Sequence, residues 1–303
     1  MNFKPTSTRE KRLAYLIKFW IYLASFLVLL LTAGLLLTVL LLGLPQLSWS
    51  FLTSASNYLN GGGVGVQLFN TLYLLLLTLL ISLPLSLGCA IWLFLYAKQN
   101  WLTQVIRTTL EILSSLPAIV IGLVGFLLFV VRFHLGFSLL SGSLTLMILN
   151  LPLLTRLIED ALRAVDPLQL KAGMALGLSK WDCVQKIVMV KARPAIITGI
   201  SLSAGRIIGE TAAVIYTVGQ SAPQLDWSNF NPLSTASPLS PFRPAETLAV
   251  HIWKINTEGS IPNSLQISTG AALLLILLIA IFDLAIYGWL WIQQRVAFAQ
   301  KQV

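Results

Sequence analysis

The chain has 303 residues, 56% of them hydrophobic and only 10% charged, with a mean hydropathy of +0.83. Soluble domains carry roughly 25% charged residues, so a soluble globule is excluded; between Phe19 and Ala97 there is no Asp, Glu, Lys or Arg at all, far more chain than the roughly 20 residues of one bilayer crossing. The net charge of +9 would suit a nucleic-acid partner in a soluble protein, but here the basic residues lie between apolar segments, where they set topology, and nucleic acid is not needed to explain them.

Six apolar segments are long enough to cross, at about residues 16–43, 67–97, 111–133, 135–158, 195–219 and 267–292, behind a tail at residues 1–15. They predict an all-α membrane protein with six transmembrane helices. The first segment is longer than a signal peptide's apolar core and runs into Leu44-Pro45-Gln46 instead of a small-residue cleavage site, so it reads as a retained anchor. Gly61-Gly62-Gly63-Val64-Gly65 lacks the Gly-Lys-Ser/Thr of a phosphate cradle and reads as a flexible linker. Pro84, Pro117 and Pro152 fall inside the second, third and fourth segments, where each removes a backbone donor and can kink its helix. Glu111, Ser114, Ser115 and Asn150 either line a path or bond between helices. Cys89 and Cys183 have no metal or disulfide spacing, and His134 and His251 read as solvated groups outside the bilayer.

Lys and Arg accumulate at the cytoplasmic ends of spans. Residues 1–18 hold five, 98–107 two, 156–193 seven and the C-terminal tail two, whereas the alternate loops hold none at 44–66, then Arg132, then Arg243 and Lys254. Both termini are therefore expected in the cytoplasm. That makes 159–193 a cytoplasmic connector and 220–266, with six of the 13 prolines, an external loop.

The cytoplasmic loop reads as two short helices. Asp166 can cap a helix that starts at Pro167, has Gln169 at its third position and stops at Gly177. Ser179, with Asp182 three residues on, can cap a second helix with Trp181, Val184, Ile187 and Val188 on roughly one face. Two readings are open: an interfacial helix on anionic lipid, or a knob inserted into a partner's groove.

In the fifth segment Arg206 and Glu210 are four residues apart in an apolar setting, where a charge costs at least about 2.5 kcal/mol. Asp283, in the sixth, is a third ionisable group at comparable depth. Gly205 and Gly209 form a small-xxx-small face that would let another helix approach. The pair reads either as a buried ion pair that fixes helix register, or as a guanidinium fork for an oxyanion in transit that Glu210 holds when the path is empty.

Lys171-Ala172-Gly173-Met174-Ala175-Leu176-Gly177, with Ile187 ten residues after Gly177, resembles the EAA loop of permease subunits in binding-protein-dependent ABC importers. Lys171 stands where that family has an acidic residue, Gly173 where it has its second alanine, and Met189-Val190 where it has Leu-Pro. Arg206-Ile207-Ile208-Gly209-Glu210-Thr211 resembles the Arg-x-x-Gly-Glu-Thr signature of phosphate-type permeases. Asn70-Thr71-Leu72, Ser115–Leu123 and Glu246–Trp253 agree with the same family in order along the chain. Over residues 60–292 the sequence is thus similar to PstA-type permease subunits of phosphate ABC importers.

The resemblance implies a type I importer permease fold in a bacterial cytoplasmic (inner) membrane and transport of inorganic phosphate by alternating access. It implies a second, PstC-like permease, two PstB-like ATP-binding subunits that use ATP and Mg, and an external PstS-like phosphate-binding protein, with no cofactor on this chain. It also implies that 159–193 is a coupling loop in which Lys171, Ala172, Gly173, Gly177, Trp181 and Ile187 contact the ATPase, and that Arg206 and Glu210 serve the path or its gate. Asp283 is a further candidate there from its depth alone. An ABC permease for sulfate or molybdate is the near alternative, because a guanidinium does not by itself tell tetrahedral oxyanions apart. A membrane enzyme with Arg206 clamping a lipid phosphate is the distant one. The sequence shows no nucleophile, catalytic carboxylate pair, metal set or nucleotide-binding motif with convincing spacing.

Overall fold

The computed structural model describes residues 8–54, 62–97, 100–258 and 263–299; residues 1–7 of the tail, Gly61 and Lys98 lie outside them. Described residues form α1 (Thr8–Gly43), a 3-10 turn (Leu44–Gln46), α2 (Trp49–Thr53), α3 (Gly65–Leu95), α4 (Trp101–Ser115) and α5 (Ala118–Gly125), which runs on into a π turn (Phe126–Arg132). Then come α6 (Leu139–Arg163), α7 (Pro167–Ala175), α8 (Lys180–Cys183), a second π turn (Val184–Val188), α9 (Met189–Gly209), α10 (Ala212–Thr217), α11 (Leu248–Glu258) and α12 (Ser264–Ala299). There is no strand among the described residues. The helices α1, α3, α6 and α12 and the run Lys180–Gly209 are each long and apolar enough to cross a bilayer.

The third segment departs from expectation. It is not one kinked span over 111–133 but two helices, α4 and α5, bent by 103°. Pro117 has no amide donor and disfavours helical backbone in the residue before it, and Leu116 is accordingly extended at ψ 136°. Pro84 and Pro152, by contrast, remain inside continuous helices. The fifth segment is also broken, between α9 and α10. At the other end, the second connector helix does not stop before the membrane: α8 passes through the π turn into α9, with Pro194 inside.

The core forms where α3 lies along α6. Its upper cluster joins Leu74 and Leu75 of α3 to Leu146 and Leu149 of α6, Ile207 and Ile208 of α9 and Val214 of α10. The lower one joins Ala90 to Leu154, Ile158, Val184 and Val188. The buried face of α3 carries Thr78, Ser82 and Ser86, small enough for α6 to approach closely. Gly199 has the same use on α9, since a Cβ there would stand 3.1 Å from Leu157 Cβ. By contrast α1 is exposed along nearly its whole length and meets α12 near Gly43, where a Cβ would lie 2.7 Å from the Thr269 carbonyl oxygen.

Candidate coupling loop and translocation face

The connector between α6 and α9 is built by its caps. The Asp166 carboxylate accepts from Leu168 N at 2.9 Å, Pro167 occupies the first helical position, and α7 ends before Gly177, whose φ of +86° is a left-handed value that glycine adopts without strain. The Ser179 hydroxyl accepts from Asp182 N at 3.0 Å and starts α8. The loop then folds on itself: Gly173 is buried, and a Cβ on it would lie 2.7 Å from Cys183 Sγ and 2.8 Å from Ile187 Cδ1. Lys171, Ala172, Gly177 and Trp181 are exposed, with Leu168 and Met174 beside them and Leu176 84% exposed at the tip.

Six residues were expected at one docking surface, and the structure divides them. Gly173 and Ile187 are internal packing of the loop, whereas the other four are outward. The expected common face of the second helix is divided too. Val184 and Val188 are buried in the lower core cluster, whereas Trp181, a turn earlier in α8, is 48% exposed. Sequence reading missed Leu168 and Leu176, whose signal was two large apolar residues in a connector with no core position to fill.

The second region lies on the outer face of α9. Leu202, Arg206 and Gly209 are all exposed there. The helix ends at Gly209, Glu210 is extended with ψ 122°, and its carboxylate accepts from Ala213 N at 3.4 Å at the start of α10. Arg206 and Glu210 therefore do not share one helical face, and no ion pair joins them among the described residues. Asp283 is drawn elsewhere, accepting from the Ser201 hydroxyl and linking α12 to α9. The glycine face is likewise divided: a Cβ on Gly205 would meet Ile279 at 3.6 Å, but one on Gly209 would meet nothing. Irregular backbone in a membrane helix persists only where protein or a water-filled cavity satisfies it, so the break beside Arg206 marks a place where the helix is not simply lipid-facing.

Of the other polar candidates, Asn150, Ser114 and Ser115 serve structure, and Glu111 is exposed on α4. Asn150 donates to the Ser203 hydroxyl across α6 and α9, whereas Ser114 and Ser115 bond carbonyls of their own helix.

The third region was missed. His134 is exposed as expected, but His251 is 2% exposed and its Nδ1 lies 3.1 Å from Glu246 Oε1, which corrects the solvated reading. Gln67 Nε2 donates to Glu246 Oε2 at 3.2 Å, Asn70 Nδ2 to the Glu246 carbonyl at 3.0 Å, and Leu248 N to Thr71 Oγ1 at 2.9 Å. The start of α3 and the start of α11 are thus stitched together. Arg243 completes the stitch: fully buried, it donates to Asn70 Oδ1 at 2.7 Å and to the Pro238 carbonyl, and its guanidinium lies 5.9 Å from the Phe69 ring centroid. Burial pushes its pKa down to about 10, which still leaves it charged at neutral pH. Six polar side chains in two stretches far apart in sequence were the available signal.

No group of three or more His, Cys, Asp or Glu side chains that could hold a metal occurs among the described residues.

Residues 82–290 match the family described as binding-protein-dependent transport system inner membrane component. The chain is 44% identical over 253 residues to a probable ABC transporter permease protein, YqgI, of Bacillus subtilis (strain 168), covering 83% of this chain and 86% of that relative. It is 34% identical over 261 residues to the phosphate transport system permease protein PstA 2 of Mycobacterium bovis, covering 86% and 82%. In fold it resembles an inward-facing MetNI methionine ABC transporter, with a TM-score of 0.54 at 16% identity over 74% of this chain and 91% of that one. An amino acid ABC transporter gives 0.52, also at 16% identity. A permease of this kind is non-catalytic and leaves ATP hydrolysis to a partner ATPase. A two-span core of α3 on α6, a capped loop leading into α9 and a match over most of the chain agree, and the chain belongs to the binding-protein-dependent transport system inner membrane component family, as a permease subunit of an ABC importer with the type I fold.

Proposed function

We propose that this chain is the permease of a phosphate importer and that Arg206 meets the anion at the break between α9 and α10. The observation that carries the reading is an exposed guanidinium, free of Glu210, beside interrupted backbone in a membrane helix. The 34% identity to a phosphate permease supports phosphate as the anion. Arg206 offers two parallel N–H groups to a tetrahedral oxyanion, and in the fully assembled transporter its exposed face would turn toward a second, PstC-like permease. The tip formed by Leu168, Leu176 and Trp181 would seat in a PstB-like ATPase, so that closing of the ATPases on ATP pulls α8 and, through the continuous helix, α9. The distribution of Lys and Arg supports a cytoplasmic side for this loop and both termini, which would leave α11 and the loop before it to an external PstS-like binding protein.

Radiolabelled phosphate uptake in cells that carry the whole transporter tests this. Arg206→Gln is expected to lower uptake at least tenfold with assembly intact, and excess unlabelled phosphate should compete where sulfate and molybdate do not. Unchanged uptake in Arg206→Gln would remove Arg206 from the path, and equal competition by sulfate would remove the phosphate assignment.

A further inference from the structure

Beside α4, a cavity of about 310 Å³ is lined by Arg107 and Glu111 of α4 and by Arg156, Glu159, Asp160 and Arg163 of α6. Glu159, with its side chain 8% exposed, is clasped from both sides: Arg107 donates to it at 2.7 and 3.3 Å, and Arg163 at 2.9 Å through Nε with Nη2 2.8 Å away. This clasp ties α4 to α6. It leaves Arg156, Glu111 and Asp160 as exposed charges on the cavity wall, none of them in an ion pair among the described residues. Three guanidinium groups face three carboxylates. A simple anion or cation finds opposition as well as attraction here, whereas a ligand with a phosphate and an ammonium group a few bonds apart finds a partner for each.

The position adds a second constraint. Arg163 is the last residue of the membrane helix α6, and Asp166 already caps the connector, so the cavity sits where the span leaves the hydrocarbon, at the depth of lipid headgroups. Leaving α5 at 103°, α4 runs almost perpendicular to it and exposes Trp101, Leu102, Val105 and Ile112 along one side. A neighbouring cavity of about 680 Å³ shares Arg107 and Glu111 and continues along α4 past Trp101 and Gln104. A charged cavity beside an apolar helix face, at headgroup depth, fits a lipid better than a free solute.

We propose that this cavity binds the headgroup of a membrane phospholipid of the phosphoethanolamine type. Arg156 and the remaining N–H groups of Arg107 and Arg163 take the phosphate, Glu111 and Asp160 take the ammonium, and the acyl chains follow α4. The site uses no residue of the proposed anion path, and it stands whether or not phosphate is the transported anion.

Native mass spectrometry of the transporter, purified with its own partners and supplied with phosphatidylethanolamine, phosphatidylcholine or phosphatidylglycerol of matched chains, tests the proposal. Phosphatidylethanolamine should be retained about tenfold better than the other two, the difference expected from one charge-assisted hydrogen bond. In an assembled complex Asp160→Asn should abolish that preference and Arg156→Gln should lower retention of all three lipids alike, because all three carry the phosphate, and soluble glycerophosphoethanolamine should not displace the lipid. Equal retention of the three lipids by the native complex, an undiminished preference in Asp160→Asn, undiminished retention in Arg156→Gln, or displacement by the soluble headgroup would each overturn the assignment. If a change on α6 prevents assembly, Glu111→Gln on α4 makes the same comparison.

Discussion

Arg206 and Glu210 show how far spacing alone can mislead. Four residues apart they would pair on an unbroken helix, but extended backbone at Glu210 sends its carboxylate to the start of α10 instead. Their effects on stability should therefore add. In melting measurements of the purified transporter, Arg206→Gln and Glu210→Gln are expected to couple by less than about 0.5 kcal/mol, and a coupling above about 1 kcal/mol would restore the pair. Arg243 behaves in the opposite way, reading as an ordinary loop cation in the sequence and being fully buried in the fold. Arg243→Met would strip Asn70 Oδ1 and the Pro238 carbonyl of their donor at once, a loss of about 1–3 kcal/mol for each buried group left unpaired. A melting temperature lowered by several degrees checks it; an unchanged one would mean that the loop is pinned by other contacts.

Among the elements, the connector between α6 and α9 was largely legible because its signals are local. Asp166, Pro167, Gly177 and Ser179 act within a turn of themselves, and each sits where the cap it favours is formed. The packing inside the loop was not legible, since it depends on α7 touching the π turn. Gly173 is needed for that contact, and Gly173→Ala is expected to destabilise the loop by about 1–3 kcal/mol through overpacking. Adding Cys183→Ala should recover part of this, measured as ATP hydrolysis stimulated by substrate in the assembled transporter; no recovery would place the damage outside the contact. For the exposed tip the expectation is different. Leu176→Asp should reduce the co-purifying ATPase at least tenfold while leaving the permease melt unchanged, and an undiminished yield of ATPase would move docking off the tip.

For the whole molecule, six apolar stretches could be counted in the sequence, and their number says little about their shape. Two are broken, one at Leu116-Pro117 and one at Glu210-Thr211, and the two breaks meet: α5 crosses α10 so closely that a Cβ on Gly122 would lie 2.7 Å from Ala213 Cα. Bringing two half-helices together in this way builds a compact, well-filled wall behind Arg206, with Val214 and Ile121 in one core. The long exposed α1 and the open outer faces of α9 and α12 leave the chain with much apolar surface to cover. Lipid and a second permease can cover it, which agrees with a subunit that works only within an assembly.

Composition and periodicity determined the class of protein, because a charge-free run of this length has no soluble solution. Local chemistry determined the caps, the glycine turn and the proline break. The tertiary structure alone decided which polar groups meet. Arg107 finds Glu159 across 52 residues, Asn70 finds the Glu246 backbone carbonyl across 176, and Arg206 does not find Glu210 across four. The reason is physical: a cap is satisfied within one turn of chain, whereas a buried polar side chain must be satisfied by whatever the packing of helices brings to it.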